Sequence, residues 1–344
     1  MLICEGPGSG VQLAPGGKSQ RLPPMSASEI TAAVAHLEQG GLVVMPTETV
    51  YGLAANAADD EAVARIFAAK QRPAFDPLIV HVADADAAWK RAFDTPVARR
   101  LAAAFWPGPL TLVLQRRPGC VSDLVTSGME TVGLRCPDHP LALELLRRSG
   151  LGLAAPSANI FGRTSPTTAA HVGEQFAAYG ALLMDGGSCR VGLESTVVAV
   201  QHEQVVILRP GGISREQLHA VLGHEPELAS RDTRAQHLPA PAPGMLASHY
   251  APSKPLRLRA PGQAWPRGSQ WGYCAFTGAD LPDGATVQEV LSPHGDPIQA
   301  ASRLFAALRQ LDAAPIAQIC AELVPDQGLG LAINDRLRRA AGMG

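Results

Sequence analysis

Apolar residues along this chain recur either at helical spacing or in short continuous runs. The helical spacing predicts a first helix that begins after Ser26 or Ser28, either of which can cap it, and ends at the glycine pair 40–41. The same spacing predicts further helices after the Asp59-Asp60 cap, at 138–149 and at about 167–179. Continuous apolar runs are typical of buried strands, and they occur at 42–45, 78–82, 110–115, 131–135, 151–155, 195–200 and 205–209.

The order of these segments indicates the fold class. Helices and strands are intermixed, and the last two strands flank a short polar turn, so we predict an α/β fold with a mixed sheet that includes a hairpin. The Pro-rich stretch PAPAPGMLASHYAPSKP follows within 226–256 and should be extended and semi-rigid. Beyond it, alternating strands and helices are predicted at 270–276, after Asp296, at 316–323 and at about 328–341. We therefore divide the chain into an arm at 1–25, a larger unit at 26–214, a connector at 215–256 and a smaller α/β unit at 257–344.

Composition narrows the class of protein. The chain has 344 residues, of which 46% are hydrophobic, and that length favours two globular domains. No apolar stretch is long enough to span a membrane, and the first residues lack the pattern of a signal peptide, so we expect a cytoplasmic protein with no membrane partner. The net charge of −2 argues against strong direct nucleic-acid binding, which normally requires a basic surface.

Familiar catalytic and metal-binding motifs are missing. The six cysteines are far apart with no C-x-x-C pair, so we expect reduced, mostly buried thiols and no protein-held metal site. Neither a G-x-S-x-G nor an H-E-x-x-H sequence occurs. The sequence therefore gives no indication of a nucleophile and base pair or of a metalloprotease.

Polar residues are concentrated where the predicted strands and helices of the larger unit end, which is the edge where ligands bind in open α/β sheets. These residues are Thr47, Thr49, Lys70, Arg72, His81, Arg135, Ser157, Asn159, Ser195 and Arg209. Each has a structural alternative: the cations can stabilise a helix end or finish a strand, the histidine can be a core residue, and the hydroxyl and amide residues can form turns. Four cations with several hydroxyls and few carboxylates nevertheless suit a polyanionic ligand. Lys70 and Arg72, two residues apart in an extended segment, would point the same way.

Eight blocks in the right order resemble the Sua5/YrdC/YciO family over about residues 26–214. They are GGLVVMPTETVYGLA (40–54), KQRP (70–73), DPLIVHV (76–82), WPGPLTLVL (106–114), VGLRCPDHP (132–140), APSANIFGRTSPT (155–167), ESTVV (194–198) and LRPGGIS (208–214). PGMLASHYAP (243–252) and INDRLRRAA (333–341) further resemble the two-domain Sua5 type. Asp76 departs from the pattern, because a neutral or amide residue is expected before Pro-Leu.

The resemblance implies threonylcarbamoyladenylate synthase activity. In that reaction L-threonine, bicarbonate and ATP give threonylcarbamoyl-AMP and pyrophosphate, and the product passes to the tRNA threonylcarbamoyl transferase machinery for the t⁶A modification at position 37. The implied fold is a twisted mixed-sheet domain with a large concave cavity lined by positive charge, plus a smaller, Rossmann-like C-terminal α/β domain. Mg²⁺ would be held mainly by the ATP phosphates and water, because the sequence shows no acidic cage.

The resemblance also suggests a role for each candidate residue. Lys70 and Arg72 would be catalytic and, with Arg209, would hold the triphosphate and stabilise the charge that develops in the transition state. Arg135 would pair with the threonine carboxylate, while Thr47, Thr49, His81 and Ser195 would surround the amino acid. The nucleotide would be lined by Thr131, Ser157, Asn159 and Thr167, and Tyr250 of the connector would close over the cavity as part of a lid that excludes water.

Two other functions are compatible with the same fold. In the first, the cavity would bind tRNA or duplex RNA without making an adenylate, which the near-neutral charge and the lack of basic runs with interleaved aromatic residues disfavour. In the second, the chain would act in carbamoyl transfer like the related domain of hydrogenase maturation factors. The zinc-finger cysteines and acylphosphatase-like segment that accompany that domain are missing here.

Overall fold

A ten-stranded mixed sheet forms the centre of the larger unit in the computed structural model, which describes residues 26–201, 203–229 and 249–343. Its strands are β1 (Val43–Met45), β2 (Gly52–Asn56), β3 (Ile79–His81), β4 (Leu110–Gln115), β5 (Thr131–Arg135), β6 (Leu153–Ala154), β7 (Leu182–Leu183), β8 (Thr196–Gln201), β9 (Gln204–Arg209) and β10 (Glu227–Leu228). Across the sheet they follow the order β10-β9-β8-β4-β5-β3-β6-β2-β1-β7. Parallel and antiparallel pairs are mixed, and β8 and β9 form the predicted hairpin.

Helices cover this sheet and bury their apolar faces against it. They are α1 (Ala27–Glu38), α2 (Asp60–Lys70), α3 (Ala85–Trp89), α4 (Pro96–Phe105), α5 (Asp123–Thr126), α6 (Pro140–Ser149), α7 (Ala169–Val172) and α8 (Arg215–Leu222). The predicted caps are present: Ser26 forms a capping box with Glu29 at the start of α1, and Asp59 accepts two backbone N–H bonds at the start of α2.

Three segments of the larger unit differ from the sequence expectation. The single helix expected at about 167–179 is wrong, because α7 ends at Gly173, whose positive φ breaks the helix, and only a short 3₁₀ turn follows. The polar loop expected after β1 ends at Tyr51 and is followed by β2, a strand that the sequence did not predict and that pairs antiparallel with β1. Helix α8 and strand β10 also lie within the segment expected to be connector, since Ser214 caps α8 and β10 pairs with β9.

The smaller unit is built on a four-stranded, all-parallel sheet. Its strands are β11 (Leu256–Arg259), β12 (Trp271–Ala275), β13 (Gln288–Val290) and β14 (Gln318–Glu322), in the order β11-β14-β12-β13. Helices α9 (Pro297–Ala313) and α10 (Gly330–Ala340) pack their apolar residues against it. The parallel sheet agrees with the α/β class expected for this unit, although strands β11 and β13 were not predicted. Among the described residues, only the connection from β13 to β14 runs through a helix, α9.

The two units meet through a shared apolar cluster and through arginine side chains. Val50 and Leu193 of the larger unit, together with Tyr250, are buried in the core of the smaller unit. Arg309 on α9 donates to the backbone carbonyls of Thr164 and Ser165. The interface thus combines apolar packing with hydrogen bonds from an arginine side chain.

The remaining sequence expectations concern thiols and membrane segments. Five cysteines are free thiols, four of them buried, while Cys4 lies outside the described residues. Across the described ranges, no helix combines the length and the apolar character that crossing a membrane requires.

Candidate active site

The pairing of the strands brings three of the predicted site residues to one edge of the large sheet. Strand β4 runs antiparallel to β5 and parallel to β8, and β9 runs antiparallel to β8. The end of β5, the start of β8 and the end of β9 therefore coincide. Arg135, Ser195 and Arg209 occupy these three points, although they are far apart in the sequence.

A cavity beside this edge collects nine of the predicted residues. Its lining includes Thr47, Thr49, Arg72, His81, Arg135, Ser157, Ser195, Arg209 and Tyr250. Two further polar residues, Glu194 and His249, line it although the sequence analysis did not select them. Their position in the sequence could have identified them, because each directly precedes a selected residue within a block that resembles the family. Three arginine guanidinium groups, which can bind the oxygens of phosphates or carboxylates, therefore converge on one recess.

Four predicted residues do not line the cavity. The Lys70 ammonium donates to the carbonyls of Ser157 and Asn159, and the Asn159 amide donates to the carbonyls of Ile160 and Arg163, so both side chains shape the loop that carries Ser157. The other two lie elsewhere. Thr167 contacts the His171 ring at 3.2 Å, and Thr131 begins β5, roughly 13 Å along the strand from Arg135.

The two cations of the KQRP block are buried close together. The segment is not extended as expected, since Lys70 ends α2 and Gln71 adopts a left-handed φ of 53°. Burial, reinforced by the positive charge of Arg72, places the pKa of Lys70 well below its ordinary value. Burial also lowers the pKa of Arg72, and the negative charge of Asp76 opposes that effect. A bound polyanion would stabilise both positive charges.

Asp76, the residue that departs from the family pattern, is the ionic partner of Arg72. Its carboxylate lies 2.8 Å from an Arg72 guanidinium nitrogen, and both side chains are almost fully buried. The guanidinium also donates to the carbonyls of Asp76, at 3.1 Å, and of Pro77, at 2.9 Å. These contacts fix the guanidinium plane at the wall of the cavity.

Arg135 is held in place by a carboxylate in the same way. One of its guanidinium nitrogens lies 2.6 Å from Glu48 Oε1, and Nε donates to the carbonyl of Gly108. The other Glu48 oxygen accepts the backbone N–H of Asp138 at 3.0 Å. Burial, with the nearby charge of Arg135 as a second cause, lowers the pKa of His81 to about 3. His81 is therefore neutral in the folded protein near neutral pH.

Arg209 and Ser195 are brought together by a close approach between two chain segments. Arg209 donates to the carbonyl and the hydroxyl of Ser195, at 2.9 and 3.3 Å, and the Ser195 hydroxyl contacts that of Thr111 at 2.8 Å. A side chain at Gly211 would place its Cβ 2.3 Å from the carbonyl oxygen of Glu194. Glycine at this position therefore allows Arg209 to reach Ser195.

The end of the connector contributes His249 and Tyr250 to the lining of the cavity. Tyr250 is buried with a left-handed φ of 66°, its carbonyl accepts the Thr164 hydroxyl at 3.3 Å, and its ring packs 5.6 Å from that of Phe305. The His249 ring lies 4.2 Å from the Tyr250 ring. Burial lowers the pKa of His249 well below its ordinary value, and the charges of Arg72 and Lys70 lower it further.

Family models match both units of the chain. Residues 35–211 match the Sua5, YciO and YrdC model, described as "Telomere recombination", and residues 213–342 match "Threonylcarbamoyl-AMP synthase, C-terminal domain". The chain belongs to the Sua5/YrdC/YciO family. The resemblance of its sequence blocks to this family is thereby confirmed.

Members of the Sua5/YrdC/YciO family resemble this chain over nearly its whole length. It is 41% identical to the threonylcarbamoyl-AMP synthase of Bacillus subtilis, over 91% of this chain and 93% of that protein. Identity to the enzyme of the same name from Pyrococcus abyssi is also 41%, over 91% and 94%. The crystal structure of P. abyssi Sua5 complexed with L-threonine superposes with a TM-score of 0.82 at 38% identity, covering 93% of this chain and 96% of that one. The predicted fold class is confirmed.

This Sua5-family chain should lose stability in acid through His81. The pKa of its imidazole falls from 6.5 in the unfolded chain to about 3 in the folded protein. As the pH falls from 6.5 toward 3, the unfolded chain binds a proton that the folded protein does not, so the free energy of unfolding decreases. Between about pH 7 and about pH 5, urea unfolding should show a stability loss about 2 kcal/mol larger for the unchanged protein than for His81→Gln. The other buried histidines are the same in both proteins, so their contributions cancel in this comparison. An equal loss of stability in the two proteins would contradict the lowered pKa of His81.

Proposed function

We propose that the chain is a threonylcarbamoyl-AMP synthase, which makes threonylcarbamoyl-AMP and pyrophosphate from L-threonine, bicarbonate and ATP. The observation that carries this function is the convergence of three buried guanidinium groups, those of Arg72, Arg135 and Arg209, on one cavity. ATP brings a triphosphate and threonine brings a carboxylate, so both substrates need such groups. The synthases of B. subtilis and P. abyssi that it resembles carry this name.

The two sides of the cavity suit the two substrates. Arg135, held by Glu48, would bind the threonine carboxylate, with Thr47, Thr49, His81 and Ser195 around the amino acid. Arg72 and Arg209 would hold the triphosphate, and Lys70 would fix the loop that presents Ser157 to the nucleotide. Thr131, Asn159 and Thr167 lie away from the lining, and we propose no direct contact for them.

The reaction would proceed through a carbamate. The threonine amine combines with bicarbonate and loses water, and a carbamate oxygen then attacks the α-phosphorus of ATP. The bond to the bridging oxygen of pyrophosphate breaks, and pyrophosphate leaves with that electron pair. Buried cations at fixed positions stabilise the charge that develops on the phosphates. The neutral His81 leaves the threonine side free of an additional charge.

Mg²⁺ would enter with ATP, held mainly by its phosphates and water. Within the described residues, no group of three or more His, Cys, Asp or Glu side chains could hold a metal. The carboxylates around the cavity, those of Asp76, Glu48 and Glu194, already form ion pairs with Arg72, Arg135 and Arg336. Transfer of the product to the tRNA-modifying machinery and a cytoplasmic location stay predictions.

Mass spectrometry of a reaction with ATP, bicarbonate and L-threonine tests this function. We expect the mass of threonylcarbamoyl-AMP, formed together with pyrophosphate, and less product when serine or glycine replaces threonine. ATP turnover that does not depend on threonine would contradict it. Tight, salt-dependent tRNA binding without adenylate formation would favour the RNA-binding alternative.

A further inference from the structure

We propose that Arg336, on helix α10 of the smaller unit, is a positioning residue for the nucleotide side of the cavity, which lies in the larger unit. The inference rests on the proposed function, and it gives the smaller unit a part in substrate binding. Arg336 acts through Glu194 and the segment that carries Arg209, and it does not itself line the cavity.

The Arg336 side chain is fully buried and reaches across the interface between the units. Its Nε donates to Glu194 Oε2 at 2.7 Å, and one terminal nitrogen donates to the carbonyl of Pro210 at 3.1 Å. The other terminal nitrogen pairs with Asp335 at 2.6 Å. The guanidinium carbon also lies 5.0 Å from the centre of the Tyr250 ring. A single side chain thus contacts three parts of the cavity's surroundings.

Glu194 is the group that makes this contact necessary. It lines a cavity that we assign to a polyanion, and its Oε1 accepts the Ser165 hydroxyl at 2.6 Å. An uncompensated carboxylate there would repel the ATP phosphates. It would also compete with them for Arg209, which donates to the adjoining Ser195. Pairing with Arg336 compensates the negative charge of Glu194 in the cavity wall.

A purely structural role explains this arrangement less well. Burying an ion pair costs desolvation, and apolar side chains of similar volume commonly stabilise an interface as well or better. Leu193, which precedes Glu194, and Tyr250, whose ring lies against the Arg336 guanidinium, both belong to the apolar cluster of the smaller unit, so an apolar residue here would have suitable neighbours. The positive charge of Arg336 is explained by its pairing with the Glu194 carboxylate in the cavity wall.

The substitution Arg336→Gln tests this role. We expect the KM for ATP to rise at least about tenfold, because a buried charge loses its partner, while the KM for threonine changes much less. The double variant Glu194→Gln/Arg336→Gln should recover most of the ATP affinity, since it removes the uncompensated charge. Arg338→Gln is the matched control: it lies on the same helix, is half exposed, and only approaches Asp326 at 3.6 Å, so it should leave both KM values unchanged.

Several outcomes would overturn the inference. They are an unchanged KM for ATP in Arg336→Gln, an equal rise for both substrates, and a folded double variant that remains as impaired as the single one. If Arg336→Gln does not fold, the double variant decides: near-normal ATP affinity supports the role, and weak affinity contradicts it. The same assay on the unchanged protein distinguishes the two proposals. If the unchanged protein forms no threonylcarbamoyl-AMP, the proposed function itself is contradicted.

Discussion

Replacing Arg72 by alanine should nearly abolish threonine-dependent pyrophosphate release, with a loss of at least about a hundredfold in kcat/KM. The guanidinium lines the cavity and is fixed by Asp76 and two backbone carbonyls, so its charge is already in place when ATP binds. A preorganised charge of this kind needs no rearrangement as charge develops on the phosphates. Pyrophosphate release at saturating bicarbonate measures the effect.

The control for Arg72→Ala must separate lost catalysis from lost stability. The single substitution breaks the buried Arg72–Asp76 ion pair, which costs about 3 to 5 kcal/mol in comparable cases. Arg72→Ala/Asp76→Asn removes both charges and should recover most of that stability while remaining inactive. Near-normal turnover in either folded variant would contradict the role of Arg72.

Lys70→Ala should have a comparable effect by a different route. The ammonium holds the carbonyls of Ser157 and Asn159, so its loss frees the loop on the nucleotide side as well as removing a buried charge. Lys70→Arg keeps the charge but changes the geometry of the donors, and we expect it to rescue little. Full activity in Lys70→Arg would show that charge alone matters at this position.

Removing residues 230–344 should reduce synthesis of threonylcarbamoyl-AMP at least about tenfold, because the deletion opens the cavity to water. It removes His249 and Tyr250 from the lining and leaves Glu194 without Arg336. Ala229 is a suitable last residue because it is buried and its N–H bonds to Ile207 at the edge of the large sheet. Mass-spectrometric quantification of product measures the loss.

Point variants at Tyr250 test whether the loss of synthesis in the deletion variant comes from an open cavity. Tyr250→Ala should reproduce part of the loss, whereas Tyr250→Phe keeps the ring that packs against Phe305 and should stay close to normal. Circular dichroism should show that the truncated chain keeps the strands of the large sheet. An unaffected rate in a folded truncated protein would disprove the closing role of the connector.

Local signals in the sequence predict most elements and most of the site. Strands β4 and β5 match their apolar runs to the residue, and Asp59 and Asp296 cap the helices that their positions indicate. The helix expected at about 167–179 fails because tertiary contacts and Gly173 outweigh the weak periodicity.

Contacts between distant segments mark the limit of such prediction. Spacing cannot show that Thr131 stands at the end of β5 away from the cavity, or that Lys70 faces backbone carbonyls and not the lining. The partner of Glu194 lies 142 positions further along the chain, on a helix of the other unit. Its pairing depends on how the two cores dock, which no local pattern encodes.

The large sheet ends on both sides in strands of two residues, β7 and β10. Aggregation between sheets begins when a long, free edge offers its unpaired backbone groups to a second molecule. In the part of the chain that the structure describes, neither edge of this sheet presents such a row, even though Leu182 and Leu183 are exposed on one of them. Strands this short at both edges thus disfavour edge-to-edge pairing between two large sheets.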